Sequence, residues 1–150
     1  MSKDLEVLAE FYGVRIVDYD FPSKIRGVYH NGVIGINKDV HDPIERRCII
    51  ACEMGRHLMR KNNSIVLTEE QEHIAAFYWA VNYLMPLSAF IEANKHGVSA
   101  SDFADYLQVT QQFVNTGIEF YKNCMGKRVF YHNHVIDFEN RKIQYLSEVG

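Results

Sequence analysis

The chain has no surplus of positive charge. Its 16 Lys and Arg stand against 19 Asp and Glu, a formal net charge of −3 over 150 residues. A protein that grips nucleic acid through phosphates carries a basic excess, so direct nucleic-acid binding is not expected. Cysteine is scarce and odd in number, 3 in all, with no framework spacing. That excludes a secreted disulfide scaffold and predicts reduced thiols inside a cytoplasmic protein. The opening MSKDLEVLAEFYGV carries acidic residues and no apolar run long enough for a signal segment or a membrane span, so no membrane partner is expected. Repeats, low-complexity stretches and linkers are also lacking. What remains is 47% hydrophobic, enough for a real core in one domain over residues 1–150.

Local signals lay the chain out as α+β. Leu5, Leu8, Ala9 and Tyr12 recur at helical spacing from Ser2 onward, and Gly13 ends that run. Val14 to Tyr19 switches to period two. Two further strands, Gly27-Val28-Tyr29 and Val33-Ile34-Gly35-Ile36, flank His30-Asn31-Gly32, and Asn-Gly between β-branched runs marks a hairpin. Asp42-Pro43 opens a helix to about Arg60, with Asp as cap and Pro in the first turn. On its wheel Ile44, Cys48, Ala51, Gly55, Leu58 and Met59 form an apolar arc, and Glu45, Arg46, Glu53, Arg56, His57 and Arg60 a polar one. Thr68-Glu69-Glu70-Gln71 is a capping box for a helix that Pro86 ends. Shorter helices are predicted over Ser88 to Lys95, Ala100 to Leu107 and Thr110 to Lys122, and strand patterning returns from Val129 to Phe138.

The helix from Asp42 carries the informative motif, Ala51-Cys52-Glu53-Met54-Gly55-Arg56-His57. A zinc-peptidase HExxH helix sets two His on one face, one turn apart, with a Glu that activates zinc-bound water. Here Glu53 keeps the place of the base, and Cys52 and Arg56 stand where the two ligands would. A guanidinium has no lone pair to give a metal.

Two segments together resemble the ImmA/IrrE-type metallopeptidases: Cys48 to His57, similar to that family's active-site helix, and Glu72 to Pro86, similar to its third-ligand helix with a terminal Leu-Met-Pro. The resemblance covers the chain to about Gly126. It implies a zincin-like minimal metallopeptidase fold: a small N-terminal antiparallel sheet in a peptidase-like core (1–86), a helical segment (87–126) and a C-terminal β-hairpin (127–150). By that resemblance Glu53 matches the general base, Cys52 and Arg56 the paired ligands and His73 the third. Small members of the family cleave phage or mobile-element repressors, so the implied partner is a repressor or similar regulatory protein. All three ligand positions depart from the pattern, so a protease-derived regulator without cofactor is expected.

Alternatives stand beside it. Cys52 with His73 could bind zinc in a divergent active peptidase. His57 is a substitute ligand, although it lies about 140° round the helix from Cys52. Glu53 and His57 could pair as ligands at the expense of the base. Glu53, Arg56 and His57 could equally be an ion-paired exposed face, or Arg56 could replace the metal electrostatically beside Glu53. Residues 99–122, with a short turn at Gln108-Val109, resemble a helix-turn-helix for DNA or an adaptor role, but the second helix is poor in cations. His132 and His134, two apart on a predicted strand, could share a metal. Without catalysis, a partner would add as a strand to an edge at Val33, Ile34, Gly35 and Ile36.

Overall fold

The computed structural model describes residues 3–62 and 66–146. Ser2, at the expected start of the first helix, and residues 147–150 of the expected terminal hairpin lie outside them. The chain divides into two compact units, Met1–Tyr83 and Leu84–Gly150.

In the first unit, α1 (Asp4–Phe11) precedes β1 (Arg15–Tyr19), β2 (Gly27–His30), β3 (Val33–Asn37), α2 (Pro43–Asn62) and α3 (Glu69–Leu84). The local signals act as their chemistry demands. Asn31 and Gly32 adopt φ of 46° and 78°, the left-handed pair of a type I′ turn between β2 and β3. Asp42 caps α2 by accepting the Ile44 N–H at 2.9 Å. Thr68 and Gln71 exchange capping bonds of 3.0 and 3.1 Å at the start of α3.

The sheet has the order β1-β3-β2. β2 pairs with β3 antiparallel, but β1 pairs with β3 parallel, from Arg15 opposite Val33 to Tyr19 opposite Asn37. The sheet is therefore mixed where an antiparallel one was expected. The strand Val33–Asn37 is central, which corrects its expected place at an edge. Ile34, Gly35, Ile36 and Asn37 are all buried, and such a continuous run is what a strand covered on both faces requires. Its main-chain groups are taken by β1 and β2, so an added strand cannot pair at Val33, Ile34, Gly35 or Ile36. The edges are β1 and β2.

α2 is enclosed more fully than one apolar arc implies. Ile50, Ala51, Met54 and Leu58 are buried, and a Cβ at Gly55 would lie 2.9 Å from the Ala76 Cα of α3. On its sheet side, a Cβ at Gly27 would collide with the Ile49 side chain. Small residues at 55 and 76 let the two helix backbones touch.

The second unit holds α4 (Leu87–Lys95), a single 3-10 turn (Ala100–Asp102), α5 (Phe103–Leu107), α6 (Gln111–Met125) and three strands, β4 (Arg128–Tyr131), β5 (His134–Asp137) and β6 (Lys142–Tyr145). Gln108 turns the chain between α5 and α6 at φ 59°, and Thr110 caps α6 by accepting from the Phe113 N–H. The terminal strands form one antiparallel sheet, β4-β5-β6, one strand more than the hairpin expected. In the core Tyr121 stacks on Phe138 and Phe90 meets both rings edge-on, and the buried Tyr121 hydroxyl donates to the Met85 carbonyl at 2.8 Å. His132 and His134 do not share a strand face. His132 sits in the β4–β5 turn at φ 46°, and its carbonyl bonds the His134 ring at 2.7 Å. A turn residue breaks the period-two relation on which the pairing relied. One stretch, Glu69–Lys95, has the length to cross a membrane and contains an 18-residue window of mean hydropathy 1.4. Pro86 interrupts it, and Ala76, Ala80 and Val81 are core residues, as in many core helices of globular proteins.

Candidate functional site

The polar arc of α2 is roofed by the N-terminal turn of α3. Glu53 is only 9% exposed while Arg56 and His57 are half-buried, so the ion-paired face expected to be exposed is in part a buried one. A wheel describes a single helix and is blind to a second one laid across it.

Arg56 is the centre of this arrangement. Its Nε lies 3.4 Å from Glu53 Oε2, its Nη1 3.4 Å from Glu72 Oε1, and its Nη2 2.8 Å from His73 Nδ1. Arg60, one turn on, donates Nε to the same Glu72 oxygen at 3.0 Å. The residues matched to the family's base and to two of its ligand positions thus converge on one spot, with the guanidinium between them. A guanidinium only donates, so His73 Nδ1 must accept, and that lone pair is no longer open to a metal. Cys52 is half-buried, and burial pushes its thiol up to about 12, with the neighbouring Glu53 acting in the same sense. Metal ligation needs the thiolate, which this setting disfavours.

Burial also pushes the Glu53 carboxyl above its ordinary 4.5, against the pull of Arg56 and Arg60. Glu72 moves the opposite way, held below 4.5 chiefly by its hydrogen bond from Arg60. Glu53 and Glu72 are therefore unlike in character, the first dry and the second well solvated by cations.

His57 faces the sheet rather than this cluster. The Gly32 N–H donates to Tyr29 Oη at 3.1 Å, which leaves the phenolic proton for His57 Nδ1 at 2.7 Å. The remaining His57 nitrogen, Nε2, is buried without a hydrogen bond, and so is Glu53 Oε2. Desolvation lowers the His57 pKa, with Lys61 adding to it, so the ring is neutral at pH 7. Arg60 covers the Tyr29 ring at 5.1 Å from its centroid. Tyr29→Phe should cost about 1–2 kcal/mol in urea unfolding, because the His57 Nδ1 and Gly32 N–H groups lose one shared partner. A loss under about 0.3 kcal/mol would show that water replaces the hydroxyl freely.

Zinc is the metal that the resemblance implies, and the donor set does not fit it. Among the described residues no three His, Cys, Asp or Glu side chains group as a metal site. One ligand position holds a cation, one a thiol kept protonated, and the third a histidine committed to that cation. Glu72, Tyr29 and Arg60 carry the cluster as much as the residues singled out from sequence. Their signal was faint but real, since Arg56 and Arg60 at i and i+4 call for an acid, and Glu72 opens the acidic first turn of α3.

No curated protein matches the chain. The sequence profile of the IrrE N-terminal-like domain, peptidase M78, matches residues 9–119, which include all of α2 and α3. The chain belongs to that peptidase-like family.

Proposed function

We propose that this protein is a protease-derived regulator that holds a protein partner and no longer performs zinc-dependent hydrolysis. The observation that carries this reading is Arg56, placed among Glu53, Glu72 and His73 where a metal would need to sit. Its fixed positive charge supplies the electrostatic role of a cation toward Glu53 without a Lewis acid or an activated water. The family resemblance directs the choice of partner to a phage-type or mobile-element repressor, met in the cytoplasm of a prokaryotic host.

The docking edge moves from β3 to β2. Asn37 N–H bonds Arg26 C=O, so by antiparallel alternation Val28 and His30 face β3, and Gly27 and Tyr29 turn their main-chain groups to the open edge. β2 itself packs on α2, where the Tyr29 hydroxyl meets His57. A partner strand added there needs no metal, because main-chain bonds supply its affinity. When a partner binds, the Gly27 and Tyr29 amides should exchange with deuterium more slowly. Unchanged exchange at both would place the partner elsewhere.

Elemental analysis tests the loss of zinc. Protein purified without chelator should carry far less than one zinc per chain. Stoichiometric zinc would restore the active-peptidase reading with Cys52 and His73 as ligands. The repair Cys52→His, Arg56→His and His73→Glu should give near-stoichiometric zinc in a folded chain, because helix packing keeps the backbone positions while only the donors change.

A further inference from the structure

The second unit contains a pocket of about 330 Å3 that has no part in the arginine-centred cluster. It is bounded on one side by the terminal sheet and on the other by Phe90 of α4, Phe103 of α5 and Ile118 of α6. Register decides which sheet face takes part. Ile136 pairs directly opposite Ile143, so both project from the face that lines the pocket, while the next pair, Asp137 with Lys142, projects from the other. Phe138 completes the wall. Phe90, Phe103, Ile118, Ile136 and Phe138 are all buried, so the fold rather than mobile surface side chains sets the shape of the pocket.

Size and ring content narrow what fits. An apolar cavity of about 150 Å3 lined by leucine, isoleucine and phenylalanine stays dry and takes up one benzene. This pocket has roughly twice that volume, which is room for a second fused ring. Its three phenylalanines already touch one another in the geometries that aromatic pairs favour. The Phe90 and Phe103 centroids lie 4.9 Å apart at 44°, and Phe138 meets Phe90 edge-on at 5.7 Å. A further aromatic ring extends such a cluster by the same edge and face contacts. Charge finds no counterpart on this wall, because every residue named in it is apolar. At the rim, Ser99 donates to Asp102 Oδ2 at 2.9 Å and Arg141 to Asn115 Oδ1 at 3.1 Å. An ionised group carried inward would shed its water without gaining a partner.

We propose that this pocket binds an uncharged aromatic molecule of two fused rings, seated among Phe90, Phe103 and Phe138. Small-ligand sites are typically concave, preformed and lined by apolar and aromatic side chains, as this one is.

2-Naphthol and 2-naphthoate share that body and differ in charge at pH 7. Equilibrium dialysis should find one 2-naphthol per chain, bound about tenfold more tightly than 2-naphthoate, which must give up the hydration of its carboxylate. Phenol, with one ring, buries less apolar surface and should bind about tenfold more weakly than 2-naphthol. Bound 2-naphthol should fluoresce as the neutral molecule, because a dry site withholds the water that takes its proton in the excited state. Ala93→Leu and Val98→Trp both add volume to the lining, and each should weaken 2-naphthol by about tenfold. Val98 is only half-buried, so its variant should fold, as circular dichroism would show, even where the buried Ala93 tolerates no enlargement. No saturable 2-naphthol binding, equal affinity for 2-naphthoate or phenol, or unaltered affinity in folded Val98→Trp would each overturn the assignment. None of these results depends on zinc or on Arg56.

Discussion

Arg56→Ala should lower the unfolding free energy by about 2–4 kcal/mol, because it leaves buried charge without its counter-ion. Glu53 would keep no cation in contact, and Glu72 would retain Arg60 alone. The pH dependence makes the expectation specific. Glu53 already has a folded pKa above its ordinary 4.5, and the loss of Arg56 removes the largest influence holding it down. A carboxyl with a raised folded pKa stabilises the fold fully below its unfolded pKa, and that contribution is lost as pH rises through the folded value. The deficit of the variant should thus be smaller near pH 5 than near pH 8. Glu72, whose folded pKa is depressed, behaves oppositely: its contribution is present above 4.5 and lost as pH falls through the lower folded value. Equal deficits at pH 5 and pH 8 in urea titrations would show that Glu53 is not the group left stranded. The proposed replacement of the metal by Arg56 predicts one further contrast with a zinc site: chelator should leave the melting temperature of the wild-type chain unchanged.

Gly55→Ala is expected to be the more damaging change for its size. A methyl group usually stabilises a helix interior by about 0.5–1 kcal/mol relative to glycine. Here it would lie 2.9 Å from the Ala76 Cα and meet the Ala76 carbonyl oxygen closer still, and both are backbone atoms that no rotamer change can move aside. α2 and α3 would have to separate, which breaks the contacts of Arg56 and Arg60 with Glu72 and His73 at the same time. A net loss of about 2–3 kcal/mol is expected in thermal or urea unfolding, in the upper range for overpacking. A neutral or stabilising outcome would mean that α3 slides on α2 without cost.

The parts of this fold legible from sequence are those that short-range chemistry decides. The cap at Asp42, the Thr68–Gln71 box and the Asn31-Gly32 turn each close within four residues, and the structure has all three. The family likeness of α2 and α3 was legible for the same reason, since each motif lies within one helix. What the sequence withheld is pairing at a distance. Whether β1 joins β2 or β3 depends on which strand of the hairpin is apolar on both faces, and a period-two pattern in β1 contains no such information. Likewise Glu72 lies 16 residues from Arg56 and 12 from Arg60, so its place between them emerges only once α3 folds across α2. Glu53 was identified from its motif, but its burial is not a property of α2 alone.

The three cysteines differ in a way that can serve the experimenter. Cys48 is buried, Cys52 is half-buried with a thiol that stays protonated at neutral pH, and Cys124 stands exposed near the end of α6. Alkylating reagents attack the accessible thiolate, so the native chain offers them one site and the unfolded chain three. The molecule thus carries its own unfolding counter, and a single dye can be attached at Cys124 without substituting any residue of the arginine-centred cluster.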